Sequence, residues 1–184
     1  MRKGTRVLHF ALIGLPGSGK STIGRQLARH WELPFVDTDH VIEERLGSSI
    51  KDFFAAQGEE AFRDVESEVL AQLLAADTPC VLSTGGGAIL RPHNRTLLRQ
   101  HSHVFYLQCP PEDIARRLRT DTTRPLLQGD DPLLRLKALL QVRSALYLQT
   151  AHFVIDAARQ SAQQVGRKVG MQAELAGLRS ASQG

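Results

Sequence analysis

The chain has 184 residues, 42% hydrophobic and 23% charged, which is the balance of one folded domain and excludes wholesale disorder. Two cysteines, Cys80 and Cys109, exclude a disulfide scaffold and fit a reducing, cytoplasmic setting. The net charge of +4 rests on 18 Arg and 5 Lys against 19 acids without any like-charged block or aromatic-interleaved basic stripe, which argues against a nucleic-acid partner, and no apolar run approaches the ~18 residues of a membrane span.

In chain order, Arg2, Lys3 and Arg6 precede the apolar run Val7–Ile13. That run is short and ends in Gly14 rather than in a small-residue cleavage site, so it is expected as a first buried strand and not as an export signal. Lys20–His30 has helical spacing, with Ile23, Leu27 and Ala28 on one face. Leu33–Val36 is a second strand, and His40–Leu46 a short helix stopped by Gly47. Ser49 can cap a helix over Ile50–Gln57, broken at Gly58. Glu59–Ala76 is the clearest helix, with Phe62, Val65, Val69 and Leu73 in phase.

Pro79–Ser83 is a third strand ended by Gly85-Gly86-Gly87, and His93–Gln100 is helical. His103–Leu107 is a fourth strand, and Pro110-Pro111 opens another helix. Asp131–Thr150 is helical, His152–Ile155 a fifth strand, and Ser161–Ala176 a last helix before a small, polar tail over 177–184 expected to fray. Five buried strands alternating with helices define an α/β fold: a parallel sheet flanked by helices on both faces, in one domain over 1–184. Ligands of such sheets bind at the carboxyl ends of the strands. Thr120–Asp131, polar and containing Pro125 and Gly129, reads as a lid between two helices.

Gly14-Leu15-Pro16-Gly17-Ser18-Gly19-Lys20-Ser21-Thr22 matches G-x-x-x-x-G-K-[ST], with a buried strand before it and a helix after it. The glycines let backbone N–H groups turn inward onto phosphate oxygens. Lys20 is expected to reach the β- and γ-phosphates, and the Ser21 hydroxyl to ligate Mg²⁺. The third strand has no carboxylate to share that ion, which points to Asp37-Thr38-Asp39 after the second strand. Two apart on an extended segment, Asp37 and Asp39 would face one side. A helix cap is the competing role.

Arg63 and Glu66 are three apart on the long helix and share a face. Taken alone, such a pair reads better as a surface ion pair of well under about 1 kcal/mol. Gly85-Gly86-Gly87 permits close backbone approach to a ligand. Arg124-Pro125-Leu126-Leu127 sits in the lid segment, where Arg124 would stabilise charge on a transferring phosphoryl group. Arg143 and Tyr147 are four apart on the following helix. Arg143 beside Arg63 would make a fork for a carboxylate. His101-x-His103, Trp31 and the two cysteines read as ordinary structural residues.

With these six motifs in this order, the chain from about Val7 to Ile155 resembles the shikimate kinases. The resemblance implies a P-loop fold related to nucleoside monophosphate kinases, with sheet order 2-3-1-4-5 and a lid over about 120–131. Substrate-binding helices are then expected over about 38–76. It implies ATP-dependent phosphorylation of the 3-hydroxyl of shikimate, in the route to aromatic amino acids, by a monomer using one Mg²⁺. By that resemblance Asp39 binds the shikimate hydroxyls and is the candidate base. Arg63 and Arg143 bind the carboxylate, with Gly85, Gly86 and Gly87 beside the ring and Phe54 and Phe62 as an apolar wall. Asp37 and Ser21 serve Mg²⁺, Lys20 and Arg124 contact the transferring phosphoryl group, and Arg117 and Arg159 flank adenine. A gluconate or nucleotide kinase of the same fold is the nearest alternative. A non-enzymatic nucleotide-binding module is the other, and Lys20, Asp37, Asp39 and Arg124, all present, argue against it.

Overall fold

The computed structural model describes residues 8–120 and 131–178. Its strands are β1 (His9–Ile13), β2 (Phe35–Asp37), β3 (Val81–Ser83), β4 (Ser102–Gln108) and β5 (Phe153–Asp156). They form one sheet in the order β2-β3-β1-β4-β5, every neighbouring pair parallel. All five residues of β1 are buried, because this central strand is covered on both faces. The helices are α1 (Lys20–His30), α2 (Thr38–Leu46), α3 (Ile50–Leu74), α4 (Pro92–His101), α5 (Pro111–Thr120), α6 (Pro132–Thr150) and α7 (Ala162–Leu175). Helix α1 packs with α7, while α4 packs with α3 and α6.

The main core runs from the β1, β3 and β4 side chains to Ile23 and Leu27 of α1, Leu70 and Leu74 of α3, and Val165 and Val169 of α7. Trp31, only 7% exposed, closes its lower end against Phe10, with ring centroids 4.5 Å apart. A second, smaller cluster joins Ile42 of α2 to Phe62 and Val69 of α3. It holds the α2–α3 pair together as a unit beside the sheet.

Chain punctuation explains most element ends. Gly47 stops α2 at a φ of 65°, a conformation glycine adopts without penalty. Ser49 caps α3 through its side chain on the Asp52 N–H. The break expected at Gly58 is present as a kink (φ 83°, ψ 175°) inside a helix that otherwise runs on through Leu74. Ser161 and Gln164 form a reciprocal capping box at the start of α7.

Helix α7 is closed by the two residues that follow Ala176. Gly177 (φ 70°) donates to Glu174 O and Leu178 to Ala173 O. These two bonds satisfy the last carbonyls of α7 and bring Leu178 onto the core.

The parallel register puts the ends of β1, β2 and β3 level. Asp37 lies opposite Ser83, and Ser83 opposite Leu12, one residue before the end of β1. The turns that follow all open on one rim of the sheet, and that rim is where the phosphate loop begins.

Candidate active site

The loop from Gly14 to Gly19 leaves β1 and enters α1, with Pro16, Gly17 and Gly19 lining a cleft. Gly19, the N-cap of α1, has a φ of 94° and no side-chain capping bond. The Ser18 hydroxyl is buried without a partner. Uncapped N–H groups at the positive end of a helix dipole, beside an unsatisfied hydroxyl, suit an anion. Lys20 is buried and donates from Nζ to the carbonyls of Gly14 (2.9 Å) and Leu15 (2.8 Å). Two of its three N–H groups are thus tied to the loop, and one is left for a ligand. Burial lowers the Lys20 ammonium to about 8, against the opposing pull of Asp39 and Asp37.

The cleft has a volume of about 470 Å³, and its wall includes Lys20, Ser21, Asp37, Asp39, Gly85 and Arg117. Asp37 and Asp39 reach it by a route other than the expected one. Asp39 lies in the first turn of α2, not on an extended segment. Asp37 is the N-cap, with Oδ1 accepting the Asp39 N–H at 3.1 Å. Capping and site-building are therefore not alternatives for Asp37: its Oδ2 accepts from Ser21 Oγ at 2.6 Å. Ser83 Oγ lies 3.1 Å from the same Ser21 hydroxyl. Ser21, Asp37 and Ser83 make an oxygen-only donor set beside the phosphate loop. A hard divalent cation that takes one or two carboxylates plus phosphate and water fits that set.

Asp39 is raised to about 6, first by burial, then by Asp37 and Glu66, with Lys20 opposing.

Gly85 and Gly86 line the cleft, and Gly87 follows them against Arg63. None of the three has a left-handed φ; what each lacks is room. A Cβ on Gly85 would stand 2.7 Å from Asp39 Oδ1, and one on Gly86 would stand 2.8 Å from the Pro16 ring. A Cβ on Gly87 would lie 2.5 Å and 2.6 Å from Nη1 and Nη2 of Arg63. The strip is thus pressed against the phosphate loop on one side and against the acid and the guanidinium on the other.

Arg63 and Glu66 are not a surface pair. Arg63 is 9% and Glu66 3% exposed, and Nη1 donates to Oε2 at 2.8 Å. Their burial follows from the strip itself, which covers this face of α3. Burial raises Glu66, and Arg63 and then Arg143 pull it back down. Tyr147, fully buried, donates to Gly86 O at 2.6 Å and feels both Arg143 and Arg63. Arg143 thus acts electrostatically on the same two side chains as Arg63 does.

Other expected residues lie differently. Phe54 and Phe62 pack on each other at 4.6 Å in the α2–α3 cluster. Phe62 reaches the site only beneath Arg63, whose Cζ is 5.2 Å from the ring centre. Arg117 lines the cleft and donates from Nη2 to Cys109 Sγ at 2.8 Å. Cys109 thus touches the site and is not a plain apolar filler. Arg159 is off the cleft wall. It has a φ of 53°, and its backbone N–H donates to Asp113 on α5 at 2.6 Å. Arg124 and most of the 120–131 segment lie outside the described residues.

Ser83, to which no role was assigned from the sequence, and Thr84 and Thr38, which sit within the glycine and Asp-Thr-Asp motifs, belong to the same frame. Thr84 donates to Leu12 O at 3.0 Å, and Thr38 Oγ1 accepts the Gly85 N–H at 3.2 Å. A hydroxyl at the end of a strand that enters a glycine run was the available signal.

A parallel sheet of this order, a phosphate loop and a facing acid–guanidinium pocket define a P-loop kinase of a small, anionic acceptor. The family model "Shikimate kinase" matches residues 16–173. A shikimate kinase of Paracidovorax citrulli is 53% identical over 95% of this chain and 97% of its own. The structure of a shikimate kinase from Acinetobacter baumannii in complex with shikimate is similar with a TM-score of 0.83. It is 38% identical, over 93% of this chain and 94% of that one. A gluconokinase from Sinorhizobium meliloti, 18% identical with a TM-score of 0.56 over 94% of this chain and 95% of that one, shares the fold. The chain belongs to the shikimate kinase family.

Proposed function

We infer that the protein transfers the γ-phosphoryl group of ATP to the 3-hydroxyl of shikimate, giving shikimate 3-phosphate and ADP on the way to aromatic amino acids. The observation that carries the residue assignment is the glycine strip, which sets an acid and a buried guanidinium across from an uncapped phosphate loop. A ring bearing one carboxylate and several hydroxyls needs that set of partners.

In this reading the loop N–H groups and the free Lys20 N–H hold the phosphate oxygens as the acceptor hydroxyl closes on the γ-phosphorus. The hydroxyl proton passes to Asp39, and the bridging oxygen leaves with ADP. Asp39, set near 6, is ionised at neutral pH and still basic enough to take the proton. Arg63 and Arg143 orient the ring through its carboxylate, so that one hydroxyl faces the phosphate. Ser21 and Asp37 would hold Mg²⁺, which spreads the charge of the phosphate oxygens. Arg117 borders the nucleotide side. A monomer is the working unit, since one chain supplies every assigned residue. The cytoplasm, where ATP is abundant, is the compartment.

ADP release with Mg-ATP and a panel of shikimate, quinate, gluconate and AMP tests the reading. Turnover dependent on shikimate and lost in Lys20→Ala is expected. Arg63→Ala and Arg143→Ala should raise the shikimate KM at least 10-fold and leave the ATP KM within about 2-fold, since a charged carboxylate contact is worth about 1.5–3 kcal/mol. Turnover with another acceptor in place of shikimate would overturn the assignment.

A further inference from the structure

Arg63 has five N–H groups, and the described residues use three of them. Glu66 takes one on Nη1 at 2.8 Å. Glu59 Oε1 accepts from Nε at 3.4 Å and from Nη2 at 3.2 Å, along the side edge of the guanidinium. One N–H on each of Nη1 and Nη2 remains. Both of those nitrogens lie against Gly87, 2.5 Å and 2.6 Å from where a Cβ on it would stand, so only a glycine leaves them in place. Meanwhile the Phe62 ring lies under Cζ. The plane, the side edge and one corner are held, and only the terminal nitrogens are left with donors to give.

Glu59 is placed for this by the kink. Gly58 breaks the helix, so Glu59 begins its second half one turn before Arg63. The next residue, Glu60, goes elsewhere, to Arg91 at 3.2 Å, together with Asp64 at 2.6 Å. Two consecutive glutamates are thus sorted onto two different arginines. Glu59 is 59% exposed on its side chain, yet its partner is 10% exposed, so the pair is screened from one end only.

We propose that Glu59 is a positioning residue for substrate binding: it holds the side edge of Arg63, so that the terminal N–H groups face the acceptor's carboxylate beside Gly87. This rests on the reading of Arg63 as the carboxylate binder. A guanidinium left free to rotate would lose the two-point geometry on which such recognition depends.

Steady-state kinetics on Glu59→Ala, Glu59→Gln, Arg63→Ala and the Glu59→Ala/Arg63→Ala double variant test it. Glu59→Ala should raise the shikimate KM about 3- to 5-fold, the scale of a half-exposed ion pair, with kcat and the ATP KM within about 2-fold. Glu59→Gln should recover most of the loss, because an amide oxygen accepts the same N–H bonds. Adding Glu59→Ala to Arg63→Ala should change nothing further. An unchanged or lowered shikimate KM in Glu59→Ala overturns the proposal, the lowered value marking Glu59 as a competitor of the substrate. A parallel rise in both substrates' KM overturns it as well, since that marks a general structural role. If instead Arg63→Ala leaves the shikimate KM unchanged, the carboxylate reading itself fails.

Discussion

Asp39 carries two opposed demands, one from folding and one from chemistry. Its carboxyl is raised from 3.8 to about 6, so the folded protein holds this proton more tightly than the unfolded chain. Stability from this group is therefore fully present below pH 3.8 and is lost as pH rises through 6. Two pKa units amount to about 3 kcal/mol at most, and partial exposure screens that toward about 1 kcal/mol. Asp39→Asn should then raise stability by roughly 1 kcal/mol in denaturant at pH 7.5, without bound ligand, while turnover falls about 10²- to 10⁴-fold. In the wild type, kcat/KM should rise with pH through about 6 as Asp39 ionises and fall above about 8 as Lys20 loses its proton. A profile flat across pH 5–7 would remove Asp39 from the role of base. At this scale the sequence was legible where one residue type has one chemistry, as at Lys20, Asp37 and Asp39. The burial of Arg63 and Glu66 was not, because it depends on a glycine strip that follows them by about twenty residues. Ser83 was hidden for the same reason: its partner across the sheet, Asp37, is set by register.

The elements with caps and stops were readable in the chain. Helix α1 has the expected bounds, and Gly47, Ser49 and Gly58 each do what their chemistry suggested, while Ser161, read as the first residue of the last helix, is its N-cap. The short strands β2 and β3 begin two residues later than their apolar runs, because where a parallel ladder begins is decided by the neighbour and not by local hydrophobicity. The sequence places Asp39 on an extended segment for a related reason. Its side chain type fits a turn or a cap, and only the Asp37 cap shows that α2 starts at Thr38. The capping box of α7 lies far from the cleft, which makes it a clean test of element stability. Ser161→Ala should cost about 1 kcal/mol in denaturant unfolding with kcat and both KM values unchanged. A kinetic effect would show that α7 is coupled to the phosphate loop through α1.

For the molecule as a whole, the parallel sheet puts phosphate loop, acid and guanidinium at one rim and leaves a different chemistry at the other. There His9, at the start of β1 and fully buried, sits with Nδ1 3.2 Å from Cys80 Sγ, and its Nε2 has no partner among the described residues. Burial lowers His9, His103 and His152 below 6.5, with a neighbouring His101, His152 or Arg99 adding to it in turn. A folded-state pKa below the unfolded one means that the unfolded chain binds more protons, so stability falls as pH drops below about 6.5. The melting temperature should fall between pH 6.5 and 5, and His9→Gln should flatten part of that slope; an unchanged slope would clear His9 of the effect. The fold class itself was legible from alternation alone, since five apolar runs separated by helical spacing admit few other architectures.

The contact between Gly87 and Arg63 also bears on how this enzyme could be blocked. A Cβ at that position would collide with the guanidinium, so no side chain can be introduced at Gly87 without displacing Arg63. A ligand whose anionic group pairs with Arg63 therefore meets a residue whose neighbour has little freedom to vary. Resistance by substitution at Gly87 would cost the enzyme the placement of its own guanidinium.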